Sequence, residues 1–492
     1  MRCRSRSWSV PLLAAILLAA ALALASAPSS AQPPTPTPTP APDVAAKAHA
    51  DALAAEGANR FSAGDYAAAL KALDQAVPLY RQAGARPDEA GALVTLGVIH
   101  TVQGRHADAL RAYEAALALW RGLGERQMEG RTLNSLGWTH FRLGQMAEAK
   151  ASFSGALAIM RELRVRAEER QALAGLAGVH YALGEYDDAL TRTNEALAIA
   201  RGLGDQASEF ALLTALGPAY DALRQYDRAF DAYAQALTVA RKRADRRQEA
   251  LALGQLGFVS SFQRRFDRAL EYYTQALAIS RELGDRAGEA RLLHSMGNAY
   301  EDTWRPAEAL QAYQEALTIE RQIGNRGREA LNLRDTGSAL QALGRNDEAA
   351  IAYQEAATAF RAADDAVGEN GALNNLGQLY ATLGRTQEAE KLLDSVIARA
   401  RQAGDRSGEA TSLSNLGSVY SARGEYDRAL AAQGSAVTIA QELGDRSNQA
   451  IILNNLGLTY DRSGRPDQAK NYYEQALAIH GELADRTVVC QP

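Results

Sequence analysis

Apolar side chains along this chain recur with the spacing of a helix. Within 87–122, Ala90, Leu93, Leu96, Gly97 and His100 fall on one stripe, and Gly104 ends that stretch. Ala109, Tyr113, Ala116 and Leu117 form a second stripe, extended by Leu119 and Trp120. Strand-like alternation of apolar and polar residues is absent. The pattern therefore predicts pairs of amphipathic helices joined by a short turn.

The pair repeats every 40 residues. Gly recurs at 57, 97, 137, 217, 257, 297, 337, 377, 417 and 457, with Ala177 in the one remaining place. Twelve residues after each, Ala stands eleven times in eleven, from Ala69 to Ala469. Seven residues further on, Ala recurs from Ala76 to Ala476, and only Val396 departs. Eleven units thus cover 44–486 without a slip in register. Small residues in fixed columns are what two closely crossing helices need. Gly204-Asp205, Gly284-Asp285, Gly404-Asp405 and Gly444-Asp445 supply a helix-ending Gly and then an N-cap. Charges repeat as well. Arg at 81, 121, 161 and onward to 401, and Glu at 89, 129, 169 and onward to 409, predict ion-pair ladders between units.

Two segments precede the array. Residues 1–31 have the form of a secretory signal peptide: Arg2, Arg4 and Arg6, then an apolar run from Pro11 to Ala25. Ser29-Ser30-Ala31 before Gln32 is a better cleavage site than Ala25-Ser26-Ala27, which is followed by Pro28. The rival reading is an uncleaved N-terminal anchor, the only membrane contact expected. Residues 32–43 form a Pro/Thr-rich linker, PPTPTPTPAP at its centre, which favours an extended polyproline-like spacer. Residues 487–492 remain as a short tail. The expected location is exported: periplasmic, cell-surface or secreted, in a bacterium.

Composition narrows the function. Of 492 residues 47% are hydrophobic and 23% charged, which fits a folded, soluble chain. The net charge is −5, and three of the arginines lie in the leader. A mildly acidic array is a poor default binder of nucleic acid. Cys3 and Cys490 are the only cysteines, so neither an internal disulfide framework nor a four-cysteine zinc site is possible. HExxH, GxSxG and Walker motifs are absent. His100, His140 and His180 stand where later units carry Tyr, which makes them core substitutes, too far apart to share an ion. No catalytic residue, cofactor or metal is expected.

The repeat resembles the tetratricopeptide repeat. The resemblance rests on Leu96-Gly97, on Tyr three residues after the Gly (Tyr220, Tyr300, Tyr380, Tyr420, Tyr460), and on Ala109, Tyr113 and Ala116. Units such as Asn374-Asn375-Leu376-Gly377-Gln378-Leu379-Tyr380 are similar to the longer form found in kinesin light chains and many bacterial surface proteins. The resemblance implies an all-α fold: a right-handed superhelical α-solenoid of eleven helix-turn-helix repeats. Such proteins bind peptides and proteins in a concave groove lined by the first helix of each pair. A leader followed by units ending in ELGDR also resembles the front part of bacterial proteins that carry a caspase-like CHAT peptidase. The alternative function is therefore the sensor half of such a protease, its catalytic domain lying outside this chain.

The resemblance places the groove at the columns of 94, 98, 101 and 102. These hold Val94, Val98 and Val102, then Asn134, Trp138, Phe141 and Arg142, then Tyr181 and Asp221. Further along they hold Phe258 and Phe262, then His294, Asn298, Glu301 and Asp302. The last repeats contribute Arg334, Gln341, Asn374, Gln378, Asn454 and Asp461. Trp138, Phe141 and Tyr181 are the expected anchors, and Asn374, Asn375, Asn454 and Asn455 can bond a peptide backbone. Pro218 should kink its helix, and Arg224, Arg264 and Trp304 replace the turn Gly. Tyr473, Ala476 and Leu477 should form a sticky last face, open to self-association.

Overall fold

The computed structural model describes residues 42–488, with side chains from 43 to 482. The leader, most of the linker, Cys3 and Cys490 lie outside the described residues. Those residues form 22 α-helices and no strand, arranged as eleven pairs. They divide into two compact units, one ending at Val239 and one beginning at Ala240. The first helices of the first unit are Pro42–Ser62, Arg86–Val102, Arg126–Arg142, Arg166–Ala182 and Gln206–Ala222. Those of the second are Arg246–Phe262, Arg286–Asp302, Arg326–Ala342, Ala366–Thr382, Arg406–Ala422 and Arg446–Arg462. Each is followed, after a three-residue turn, by a second helix such as His106–Leu123 or Pro306–Ile323.

The turns explain the sharp helix ends. Gly104 and its counterparts take φ near +70°, where a side chain is strained. Arg224, Arg264 and Trp304 hold the same left-handed conformation without that freedom. At the junctions between repeats, Asp205, Asp285, Asp405 and Asp445 accept a hydrogen bond from the backbone N–H three residues on. Asp245, Asn325 and Asp365 do the same. Helix Gln206–Ala222 runs through Pro218 without interruption, so the expected kink does not break it.

The Gly column is a close approach of two helices. A Cβ on Gly97 would lie 2.5 Å from the Tyr113 ring, and one on Gly257 equally close to Tyr273. Where Ala177 replaces Gly, the facing register position holds the smaller Thr193. Ala109, Ala116, Ala149 and Ala156 are fully buried.

The predicted ladder is present. Arg81, Arg121, Arg161, Arg201, Arg241, Arg281, Arg321, Arg361 and Arg401 each pair with the Glu eight residues later. Each pair ties the end of one repeat to the start of the next. For Glu129, burial alone would raise the carboxyl, but hydrogen bonds from Arg121 and Arg126 outweigh it and hold it low.

Within each unit some first helices of successive repeats meet directly, as Arg126–Arg142 meets Arg166–Ala182 and Ala366–Thr382 meets Arg406–Ala422. No successive second helices meet as closely among the described pairs. The first helices therefore lie on the tighter side of each stack. In the last repeat Leu477 is 71% exposed, whereas Leu117, Leu157 and Leu317 in the same column are buried against a following repeat.

Candidate functional site

The side of the first helices that faces solvent is set by which columns the next repeat covers. The column of 94 is covered. Asn134, His294, Arg334 and Asn374 are all buried, which corrects their placement as groove-lining residues. Among them His294 makes a joint between first helices. His294 Nδ1 lies 3.0 Å from Asn332 Oδ1, and its Nε2 lies 3.8 Å from Asp335 Oδ2, both in the next repeat. Arg334 donates to Asp335 Oδ1 from Nε and Nη2 at 2.9 and 2.8 Å. Asn454, with no described repeat beyond it, is exposed.

Trp138 is a second correction. It is only 8% exposed, packed edge-on against Phe153 at 5.2 Å and Phe141 at 5.8 Å. Its indole therefore belongs to the core of the third repeat. Phe141 and Tyr181 remain half-buried at the surface of the first unit, Tyr181 against Tyr186 at 5.5 Å. In the second unit Phe258 and Phe262 pack edge-on at 4.8 Å, and Phe262 is 40% exposed.

The columns that mostly reach solvent are those of 91, 95, 101 and 102, joined by that of 98 from the fourth repeat on; Val98 and Trp138 in that column are buried. In the ninth to eleventh repeats the column of 95 holds Asn375, Asn415 and Asn455, each half-buried. Asn415 escaped the sequence reading, although its 40-residue spacing from the other two could have revealed it. Below this face, buried tyrosines of the second helices reach through to fix the polar side chains above. Tyr313 Oη lies 2.9 Å from Asn298 Oδ1 and 3.0 Å from Glu301 Oε2. Tyr353 Oη lies 3.1 Å from Gln341 Oε1 and 3.3 Å from Ser338 Oγ. Burial pushes the Tyr353 phenol up to about 12, so it stays a donor at neutral pH. Ser338, Gln341, Ala342, Tyr353, Asn375 and Gln378 line one shallow depression across the eighth and ninth repeats. Its hydroxyls and amides both donate and accept, which matches the alternating groups of a peptide backbone.

The profile of the tetratricopeptide repeat matches residues 88–162, 168–242, 248–322, 368–442 and 410–482. The chain belongs to the tetratricopeptide-repeat family. Solved structures with the same repeats align over much of it. Aspartyl phosphate phosphatase F from Bacillus subtilis is 14% identical, with 71% of this chain and 93% of that one covered at a TM-score of 0.50. The apo quorum sensor NprR from B. thuringiensis is 15% identical, covering 82% and 99% at 0.46. Kinesin-light-chain-like repeats from P. anserina are 19% identical, covering 39% and 95% at 0.32. By sequence the chain matches none of the curated proteins. The likeness at a TM-score of 0.50 bears on the fold alone. Among the described residues, one set of His and acidic side chains could share a cation: His180, Glu185 and Asp188.

Proposed function

We propose that this tetratricopeptide array is a non-enzymatic adaptor that holds an extended peptide segment of a partner protein on its first-helix face. The supporting observation is the depression of Ser338, Gln341, Asn375 and Gln378, with two of its side chains held from below by Tyr353. Side chains fixed before binding lose less entropy when the ligand arrives. Amides at this face suit a backbone rather than one particular side chain, and the half-exposed Phe141 and Tyr181 of the first unit suit apolar side chains. The basic leader with its apolar run supports an exported protein, and no helix among the described residues is long and apolar enough to cross a membrane.

The test is capture from a cell-envelope extract on the immobilised mature chain. A variant carrying Gln341→Ala, Asn375→Ala and Gln378→Ala, shown by circular dichroism to keep its helicity, is run beside it. A protein retained by the parent and released by the variant supports the reading. Equal retention by both would move the contact off this face and overturn it.

A further inference from the structure

The three histidines that share a column do not sit in equivalent surroundings. Each is followed five and eight residues later by the N-cap and first turn of the second helix. In the second repeat the trio is His100, Arg105 and Asp108, and Arg105 donates to Asp108 at 2.7 Å. In the third it is His140, Gln145 and Glu148, with His140 Nδ1 2.7 Å from the Gln145 amide oxygen. Only in the fourth are both partners acids. His180 Nδ1 there lies 2.5 Å from Glu185 Oε2 and 3.9 Å from Asp188 Oδ2.

A hydrogen bond to Glu185 is enough to satisfy Nδ1 of the imidazole. Asp188 adds a second negative charge, and among the described residues its ion-pair partner is His180 alone. The one ammonium against the trio among the described residues is Lys150, whose Nζ is 3.4 Å from Glu185. One imidazole nitrogen and two carboxylate oxygens, all within 4.8 Å of one another, make a three-ligand set. Ligand atoms around a tetrahedral Zn2+ at 2.0–2.2 Å stand about 3.4 Å apart. Each distance from the imidazole thus needs to change by less than about 1 Å. His180 is 6% exposed and fixed, whereas Asp188 at 63% can rotate to comply. We propose that His180, Glu185 and Asp188 form a divalent-cation site, best matched to Zn2+ with water in its fourth position. The imidazole belongs to helix Arg166–Ala182 and the acids belong to the start of Tyr186–Gly202. The ion would clip the two helices of the fourth repeat together.

The test is calorimetric titration of the untagged, metal-free full chain with Zn2+, its cysteines alkylated. One equivalent bound at micromolar Kd is expected, with Mg2+ giving no heat. Asp188→Asn, at an exposed position that leaves the core intact, should weaken binding at least tenfold, as should His180→Gln. Lys150→Gln removes the competing ammonium and should tighten it several-fold, while His140→Gln should change nothing. No uptake, or one equivalent that survives both Asp188→Asn and His180→Gln, overturns the proposal.

Discussion

A single methyl group at Gly297 should separate close packing from helix propensity. A Cβ there would lie 2.4, 2.6 and 2.8 Å from three ring atoms of Tyr313. Ordinary contact begins near 3.4 Å, so the ring must retreat about 1 Å. It has nowhere to go: Tyr313 is fully buried, and its hydroxyl is held at 2.9 and 3.0 Å by Asn298 and Glu301. Overpacking of this kind costs about 1–3 kcal/mol, and loosening the hydroxyl contacts adds about 1 kcal/mol. The better helix propensity of Ala returns about 1 kcal/mol. Gly297→Ala should thus destabilise by about 2 kcal/mol. Gly371 is the control: it is also inside a first helix, but a Cβ there meets nothing within 4 Å. Gly371→Ala should stabilise by up to about 1 kcal/mol. Urea unfolding followed by circular dichroism reads both signs. Hydrogen exchange should place the Gly297→Ala loss at 286–323. If both variants were stabilised alike, the Gly column would not mark a close approach and the packing argument would fail.

Glu320 is 1% exposed, its Oε2 lacks a hydrogen-bond partner, and burial raises its carboxyl. A raised native pKa removes stability as pH rises above the ordinary carboxylate range, so Glu320→Gln should stabilise by about 1–3 kcal/mol at pH 7. That gain should vanish below about pH 4, which thermal melts across pH would show. Glu289 accepts from Arg281 at 2.7 Å and Arg286 at 2.5 Å. Glu289→Gln should lower stability by about 1–2 kcal/mol in the same melts, with Glu289→Asp no better. For Glu129, Glu249 and Glu409, arginine hydrogen bonds outweigh burial and hold the carboxyls low. Their contribution should be complete above the ordinary carboxylate pKa and be lost as pH falls below it; a melt unchanged by acid would contradict that. Ala149 is fully buried, and Ala149→Trp should split unfolding into two phases because each repeat couples only to its neighbours. One unchanged cooperative phase would refute this.

The fold was legible in the sequence because the 40-residue period aligns the chain with itself. Columns filled by Gly, Ala, Arg and Glu in nearly every repeat could only be packing or junctions, and the ion-pair ladder confirms the junctions. The face was less legible. Helical periodicity shows that 94, 98 and 101 share a stripe, but which edge the next repeat covers depends on how two helices stack. That is why His294 and Asn374 proved to be buried while Asn375 stays partly open to solvent. Trp138 misled for a related reason: Phe153, which covers it, belongs to the second helix of its repeat, and no local pattern reports that contact. The 40-residue columns do not mark the trio around His180, because its acids stand five and eight residues after the histidine and differ from their counterparts in the second and third repeats.

At the tenth junction the ladder changes in an instructive way. Gln441 and Gln449 stand where Arg and Glu stand in the other nine, and Arg446 bonds Gln449 at 2.9 Å. Both charges are gone, so neither is left buried and alone. Because every other junction uses the same pair, any of those repeats can follow any other with its charges matched. Unequal recombination among those repeats that adds or deletes 40 codons, or a multiple, would therefore leave the Arg–Glu pair of each such seam closed. A change of 39 or 41 would turn the helix by about 100° at one seam and bury a charge against the wrong neighbour. Such an array can change its reach by whole steps within one generation, while each step is quantised by the chemistry of a single glutamate.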